Sequence, residues 1–227
     1  FKQKTAYEIM PRLVGSEMCI RDSLENGNYL FHGLAFMNLK SFFDKELSEH
    51  EEVLRAMRET LAEPFLELCD VAEKTLKNGN KIMFMGNGGS AADAQHLAAE
   101  LVVRYKIERE PLAAIALTTD SSTLTASGND LGYDRIFEIQ LRALGKKGDL
   151  LIGITTSGES PNILKAVNTA NEIGITAAAL VGNDGGKLVG VAKPLLIVPS
   201  AVTARIQEMH IVLGHMMCDI LEQQCSK

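Results

Sequence analysis

Five short apolar runs alternate with stretches of helical periodicity, and this alternation restricts the fold more than any other feature of the sequence. The runs are KIMFM (81–85), AAIAL (113–117), DLLIGIT (149–155), ITAAALV (175–181) and PLLIV (194–198). Runs that are apolar throughout are typical of parallel strands buried on both faces. The pattern predicts an α/β fold with a doubly wound five-stranded parallel sheet and right-handed helical crossovers. Ligands are then expected beyond the carboxyl ends of the strands.

Two amphipathic helical stretches precede the first apolar run. The first covers 39–61, and the second follows Pro64 and ends at the Asn78-Gly79 stop signal. Together they predict an N-terminal helical pair over 38–78. Such a pair packs either against its own sheet or against another subunit, and the sequence leaves both possibilities open.

The first 36 residues are interpreted as foreign to the natural protein. Residues 1–23 lack any sustained period, and their back-translation resembles adaptor oligonucleotides used in DNA sequencing. Residues 24–36 are interpreted as upstream read-through, with Met37 as the natural start. A single domain over 37–227 is therefore expected.

Composition limits the class of protein. With 227 residues, 46% of them hydrophobic, the chain is long enough for one α/β domain with a full core. Its net charge of -6 gives no reason to expect nucleic acid as a partner. No apolar run approaches the roughly 18 residues of a membrane helix. The cysteines at 19, 69, 218 and 225 lack metal-ligand spacing, which predicts a reducing cytoplasm.

A glycine loop follows the first predicted strand in GNGGSAADAQHLAAE (86–100). Gly86, Gly88 and Gly89 allow backbone N–H groups to approach an anion, and the helix that follows adds its N-terminal partial charge. Ser90 is predicted to cap that helix. The alternative is an ordinary tight turn between strand and helix. The loop matches neither the dinucleotide motif nor the nucleoside triphosphate motif.

His96 and Glu100 stand four residues apart on the predicted helix, so their side chains share one face. Such a pair suits a metal ion or proton transfer. As an isolated pair it is more often a solvated surface contact.

A second polar loop, TTSGESPN (155–162), follows the third predicted strand, and Pro161 opens the next helix. Thr155, Thr156, Ser157 and Ser160 place four hydroxyls at this helix N-terminus, whereas capping requires only one. The excess favours anion binding over a plain polar loop.

The motifs taken together resemble the phosphoheptose isomerase family of the sugar-isomerase (SIS) superfamily. They are GNGGS, DAQHLAAEL, SGNDLGYD, TTSGES, GNDGGK and ARIQEMHIVLGH, and the resemblance covers 37–227. It implies a flavodoxin-like SIS sheet and an aldose-ketose isomerase that interconverts sedoheptulose 7-phosphate and D-glycero-D-manno-heptose 7-phosphate, for the heptose of bacterial surface polysaccharide. It also implies a cytoplasmic homotetramer with one Zn²⁺ per subunit, held in sites built at subunit contacts.

The resemblance also assigns residues to roles. The metal positions are His96, Glu100, Gln207 and His215. The sugar-phosphate positions are Asn87, Gly88, Gly89, Ser90, Glu100, Asn129, Asp130, Thr155, Thr156, Ser157, Ser160 and Gln207. Glu100 would act as the general base and His215 as the acid.

One part of the ligand set conflicts with helix geometry. Gln207 and His215 are eight residues apart, about 12 Å along a regular helix and rotated by roughly 80°. They converge on one ion only if the helix start is unwound or if different chains supply the ligands. His210, on the same predicted helix, is interpreted as a core residue.

Two alternatives to an enzyme belong to other functional classes. A non-catalytic SIS protein that binds sugar phosphates, or that associates with the bacterial replication initiator, would share the scaffold but lack counterparts of Glu100 and His215. A sugar-phosphate-sensing regulator would need a basic helix-turn-helix, which the acidic stretch 37–78 does not supply.

Overall fold

The sheet contains five strands, all parallel, in the spatial order β2-β1-β3-β4-β5. The computed structural model describes residues 38–225. The strands are β1 (Ile82–Gly86), β2 (Ala114–Ala116), β3 (Leu150–Ile154), β4 (Thr176–Val181) and β5 (Leu195–Ile197). Each lies within one of the five apolar runs, apart from Gly86 at the end of β1. The predicted five-stranded α/β architecture is confirmed, and its strand order is the flavodoxin-like one.

Seven α-helices are found among residues 38–225. They are α1 (Leu39–Thr60), α2 (Ala62–Lys77), α3 (Gly89–Val102), α4 (Ser121–Asp130), α5 (Ile136–Leu144), α6 (Pro161–Glu172) and α7 (Thr203–Cys225). Short 3₁₀ turns lie at Tyr133–Arg135 and Gly186–Leu188. None of these helices combines the length and the apolar character needed to span a bilayer.

The N-terminal helical pair is confirmed. Helix α2 begins at Ala62 rather than after Pro64, because a proline in the first helical turn removes only an N–H that has no intrahelical partner. It ends before Asn78, and Gly79 follows with φ +76°. Residues 1–36, interpreted above as foreign, lie outside the described part. Asp44 begins the compact unit that contains the sheet.

Alternate residues of the strands point to two separate hydrophobic layers. Phe84 and Ile152 join the layer formed with α2, α3 and α7, whereas Met85 and Leu151 join the layer formed with α5 and α6. Helix α2 buries Phe65 and its apolar neighbours against this first layer. Of the two possibilities left open for the helical pair, packing against its own sheet is therefore the one observed for α2.

The adjacent central strands β1 and β3 send their following helices to opposite faces of the sheet. Helix α3, after β1, packs in one layer, and α6, after β3, packs in the other. Two neighbouring chain segments that diverge in this way open a crevice at the carboxyl edge of the sheet. The glycine loop and the hydroxyl loop form the two sides of this crevice.

Candidate active site

The glycine loop makes its turn through glycine itself. Gly88 adopts φ +55°, and α3 begins at Gly89. A Cβ at Gly86 would lie 2.4 Å from the carbonyl oxygen of Ser90, so the strand end and the first helical turn touch. The prediction that Ser90 caps α3 is wrong. Gly88 occupies the cap position, and Ser90 is buried inside the first turn.

The side chain of Asn87 forms hydrogen bonds across the crevice. Its amide donates to Asn162 Oδ1 at 3.0 Å, and Asn162 donates back to Asn87 Oδ1 at 2.8 Å. The Tyr133 hydroxyl donates to the same Asn87 oxygen at 3.2 Å. Asn162 belongs to α6, so this exchange joins the glycine loop to the helix after the hydroxyl loop. Sequence reasoning missed Asn162, although it directly follows Pro161 in the second anion cradle.

A cavity of about 120 Å³ opens beside the glycine loop. Its lining includes Asn87, Gly88, Thr118 and Tyr133. Asn129 and Asp130, two predicted sugar-phosphate residues, lie exposed at the end of α4 and hydrogen-bond each other at 2.7 Å.

The hydroxyl loop is compact. The hydroxyls of Thr155 and Ser160 lie 3.4 Å apart, and Ser157 Oγ accepts from the backbone N–H of Glu159 at 3.2 Å. Ser160 stands at the N-cap of α6 but makes no capping bond with its side chain. Its hydroxyl therefore does not serve the helix, which agrees with the excess of hydroxyls noted in the sequence.

His96, Glu100 and His215 come together at the junction of α3 and α7. His96 Nε2 lies 3.3 Å from Glu100 Oε1 and 2.8 Å from His215 Nε2. One imidazole donates to the other, and the two rings meet edge to face at 64°. The His96 side chain is 47% exposed, so the cluster is accessible from outside. His96 and Glu100 are therefore not an isolated surface pair, because the imidazole of His215 joins them.

The spacing of the cluster suits a metal ion. One ligand atom from each side chain falls within 4.8 Å of the others. A tetrahedral zinc ion with ligands at about 2.0–2.1 Å separates them by about 3.3 Å. His96 Nε2 and Glu100 Oε1 are 3.3 Å apart, and the two imidazole nitrogens are somewhat closer, at 2.8 Å. Two imidazole nitrogens and a carboxylate are also a donor set found in zinc enzymes. The residues present fit the metal.

Gln207 lies away from the cluster within one chain. A Cβ at Gly89 would lie 2.7 Å from Gln207 Nε2, so the amide rests on the glycine loop. Gly89 precedes His96 by seven residues, about 10 Å of helix. The continuous helix α7 carries Gln207 without unwinding. Three of the four predicted metal ligands converge, and Gln207 instead lies against the glycine loop.

Helices α3 and α7 run side by side in the same direction, because Gln207 lies opposite Gly89 and His215 opposite His96. The two helices are in close contact at Gly214, where a Cβ would lie 2.5 Å from Leu97 Cδ2. Any larger residue at this position would overlap the Leu97 side chain unless Leu97 or one of the helices moved.

Asp93 is an acidic neighbour of the cluster that sequence reasoning missed. It lies on α3 one turn before His96, and burial raises the pKa of its carboxyl group, although His96 and His215 oppose the rise. By contrast, His210 is a core residue as expected. Burial lowers its pKa to about 4, and its Nε2 lies 3.1 Å from the carbonyl oxygen of Val181.

Comparisons with known proteins agree with this architecture. The SIS domain family matches residues 47–182. The phosphoheptose isomerase of Paramagnetospirillum magneticum is 57% identical over 186 residues, which is 82% of this chain and 97% of the relative. The structure of phosphoheptose isomerase GmhA from Neisseria gonorrhoeae superposes with a TM-score of 0.78 at 45% identity, over 82% of this chain and 100% of that one. A phosphoheptose isomerase from Francisella tularensis gives a TM-score of 0.79 at 37% identity, with the same coverage.

The fold and the matched segment define the chain as an SIS-domain protein. Within that class, the identity extends over nearly the whole length of the phosphoheptose isomerases. The chain belongs to the phosphoheptose isomerase family.

Proposed function

We propose that this protein is an aldose-ketose isomerase that interconverts sedoheptulose 7-phosphate and D-glycero-D-manno-heptose 7-phosphate, for the heptose of bacterial surface polysaccharide. The observation that carries the proposal is the convergence of His96, Glu100 and His215, two of them on the helix that begins at the glycine loop. Membership of the phosphoheptose isomerase family supports the same activity.

The reaction moves a carbonyl group between two neighbouring carbons of the sugar phosphate. A base must remove the proton beside the carbonyl, an acid must deliver one to the neighbouring carbon, and the enediolate between them must be stabilised. Glu100 supplies the base. His215 supplies the acid, and it comes from a different helix than Glu100, so the two groups can act on different atoms of one substrate.

The phosphate grip is assigned to the loops at the crevice. Backbone N–H groups at Gly88 and Gly89 and the hydroxyls of Thr155, Ser157 and Ser160 are the donors that an anion requires. Ser90 also belongs to the proposed set; its backbone N–H already donates to the carbonyl oxygen of Asn87 at 3.0 Å, so its remaining donor is the buried hydroxyl. Thr156, Asn129, Asp130 and Gln207 complete the set proposed to orient the sugar.

His96, Glu100 and His215 would hold Zn²⁺, one ion per subunit. Glu100 and His215 would then exchange protons through the carboxylate oxygen and the ring nitrogen that do not bind the metal. When bound, zinc supplies a Lewis acid that polarises the carbonyl and hydroxyl oxygens of the sugar. Gln207 could join the site if ligands come from more than one chain.

We further propose a homotetramer that acts in the cytoplasm. An apolar groove of about 420 Å³ between α1, α2 and α7 includes the exposed Leu54, Leu66 and Met216, a surface suited to a second copy. The free thiols of Cys69, Cys218 and Cys225 support a reducing compartment. Light scattering tests the assembly, and a monomer at micromolar concentration would contradict it.

The decisive variant is Glu100→Gln, which keeps the shape of the side chain but removes the carboxylate that accepts the proton. We expect kcat on sedoheptulose 7-phosphate to fall by about 10² to 10⁴. Affinity measured by calorimetry should persist, since the phosphate donors lie on other loops. His215→Asn should also abolish turnover.

The matched control is Glu108→Gln, the same chemical change at an exposed glutamate. It should leave kcat unchanged. A Glu100→Gln enzyme with near-wild-type kcat would refute the proposed mechanism. A wild-type protein that binds the sugar phosphate without turning it over would favour the non-catalytic alternative. Fructose 6-phosphate and ribulose 5-phosphate serve as competing substrates in the same assay.

A further inference from the structure

The segment that follows α3 places an aromatic ring against the proposed acid. We call residues 103–112, between α3 and β2, the strap. Within it, the ring of Tyr105 stacks on the imidazole of His215, with centroids 5.4 Å apart and planes inclined by 18°. His96 meets the same imidazole edge to face. The ring of His215 is therefore bounded by one aromatic plane and one aromatic edge.

Glu222, near the end of α7, binds the backbone of the strap. Its carboxylate accepts from three successive backbone N–H groups, those of Tyr105 at 2.9 Å, Lys106 at 2.7 Å and Ile107 at 3.0 Å. Burial tends to raise the pKa of Glu222, but these bonds and Arg109 outweigh it, so the pKa is lowered. The carboxylate therefore remains charged and keeps its three acceptor contacts. Lys106 adds a bond to Asp219 at 2.5 Å.

Arg109 fastens the other end of the strap to α3. Its guanidinium donates to the carbonyl oxygens of Glu100 and Leu101 at 2.9 Å each, which satisfies acceptors in the last turn of that helix. It also pairs with Glu222 at 3.2 Å, and both side chains are 1% exposed. The strap is thus bonded to both helices that carry the cluster.

We propose that Tyr105 is a positioning residue that fixes the plane of the His215 imidazole. Without the stacked ring, rotation about the last side-chain bond would turn Nε2 away from His96, since such torsions are broad. Offset aromatic stacking favours a particular ring plane. The backbone N–H of Tyr105 donates to Glu222, and this bond restrains the backbone that carries the tyrosine ring. The inference rests on the proposed function of His215.

The positioning role depends on the ring of Tyr105, whereas a catalytic role would depend on its hydroxyl. Variants can therefore distinguish the two roles. Tyr105→Phe keeps the stacked ring, whereas Tyr105→Leu removes the aromatic plane and retains an apolar side chain. Glu108→Ala, at an exposed position of the strap, is the matched control. For each protein, kcat and KM are measured with sedoheptulose 7-phosphate, and the Kd for zinc is measured by competition with a chromogenic chelator.

We expect Tyr105→Leu to lower kcat by about 10 to 100-fold, to leave KM within about twofold, and to weaken zinc binding about tenfold. Tyr105→Phe and Glu108→Ala should stay within about threefold of wild type in all three quantities. A role in packing alone would lower the melting temperature without this split between kcat and KM. If Tyr105→Leu does not fold, Tyr105→Met replaces it, with the same measurements and the same expected changes.

Two results would overturn the proposal. One is wild-type kcat and zinc affinity in Tyr105→Leu. The other is an equal loss in Tyr105→Phe, which would assign the effect to the hydroxyl. If the wild-type protein does not turn over sedoheptulose 7-phosphate, the proposed function fails, but the zinc measurement still decides whether Tyr105 positions His215.

Discussion

Replacing Gly214 by alanine tests whether the approach of α7 to α3 assembles the cluster. The new Cβ would lie 2.5 and 2.6 Å from the two Cδ atoms of Leu97 and 3.1 Å from its Cγ. Ordinary carbon contacts begin at about 3.5 Å, so the overlap amounts to roughly 1 Å. Leu97 is fully buried. Part of the displacement is expected to separate the helices, because a side chain in a packed interior has limited freedom to move aside.

Two opposing terms decide the change in the free energy of unfolding. Alanine in place of glycine inside a helix stabilises by about 1 kcal/mol, and overpacking a filled core costs about 1 to 3 kcal/mol. The sum for Gly214→Ala is a loss of about 0 to 2 kcal/mol. Gly128→Ala, in α4, is the matched control because nothing lies within 4 Å of its Cβ position. The free energy of unfolding of Gly128→Ala should rise by up to about 1 kcal/mol.

The assay combines urea unfolding of both variants with kcat for Gly214→Ala. A shift of about 1 Å between α3 and α7 would separate His215 from His96, and misplacement of that size can lower kcat by about 10²-fold. If Gly214→Ala gained as much stability as Gly128→Ala and kept its kcat, the close contact would have no role in assembling the site.

Two further predictions concern buried charge. The pKa of His210 is about 4 in the folded protein against about 6.5 when unfolded, so its contribution to stability is complete above pH 6.5 and declines as the pH falls toward 4. Between pH 6.5 and 5 the free energy of unfolding of the wild-type protein should fall by about 2 kcal/mol more than that of His210→Phe. Urea unfolding at both pH values measures the difference. The same pH dependence in the two proteins would contradict this prediction. Glu222→Gln leaves the guanidinium of Arg109 buried beside a neutral amide and should lower the free energy of unfolding by about 3 to 5 kcal/mol. The same change at exposed Glu108 should have an effect below about 0.5 kcal/mol, and equal effects at the two positions would show that the buried pair is energetically unimportant.

The strands and the His96–Glu100 pair could be predicted because they depend on local patterns. An apolar run of five residues that lacks a helical period indicates a buried strand wherever it stands in the chain. The spacing of His96 and Glu100 fixes their shared face once α3 forms. The same local reasoning placed the cap at Ser90, and it failed because backbone conformation at Gly88, rather than a side-chain bond, starts the helix.

The contacts that complete the site depend on pairings between distant parts of the chain. Glu222 meets the strap across more than 110 residues of sequence, and Asn162 meets Asn87 across 75. Neither residue carries a local signal, since a glutamate near the end of a helix is usually solvated. The difficulty with Gln207, by contrast, was visible in advance, because helix geometry alone separates it from His215.

The two stripes of helix α3 have a consequence for how such a protein can change over evolutionary time. Leu97 and Leu101 face the core, whereas His96 and Glu100 face outward and contribute little to it. If Glu100 is the base and the loops hold the phosphate, as proposed, a single substitution at Glu100 would remove the reaction and leave a folded protein that still binds its ligand. On such a scaffold, enzymes and binding proteins are separated by fewer substitutions than their different roles suggest.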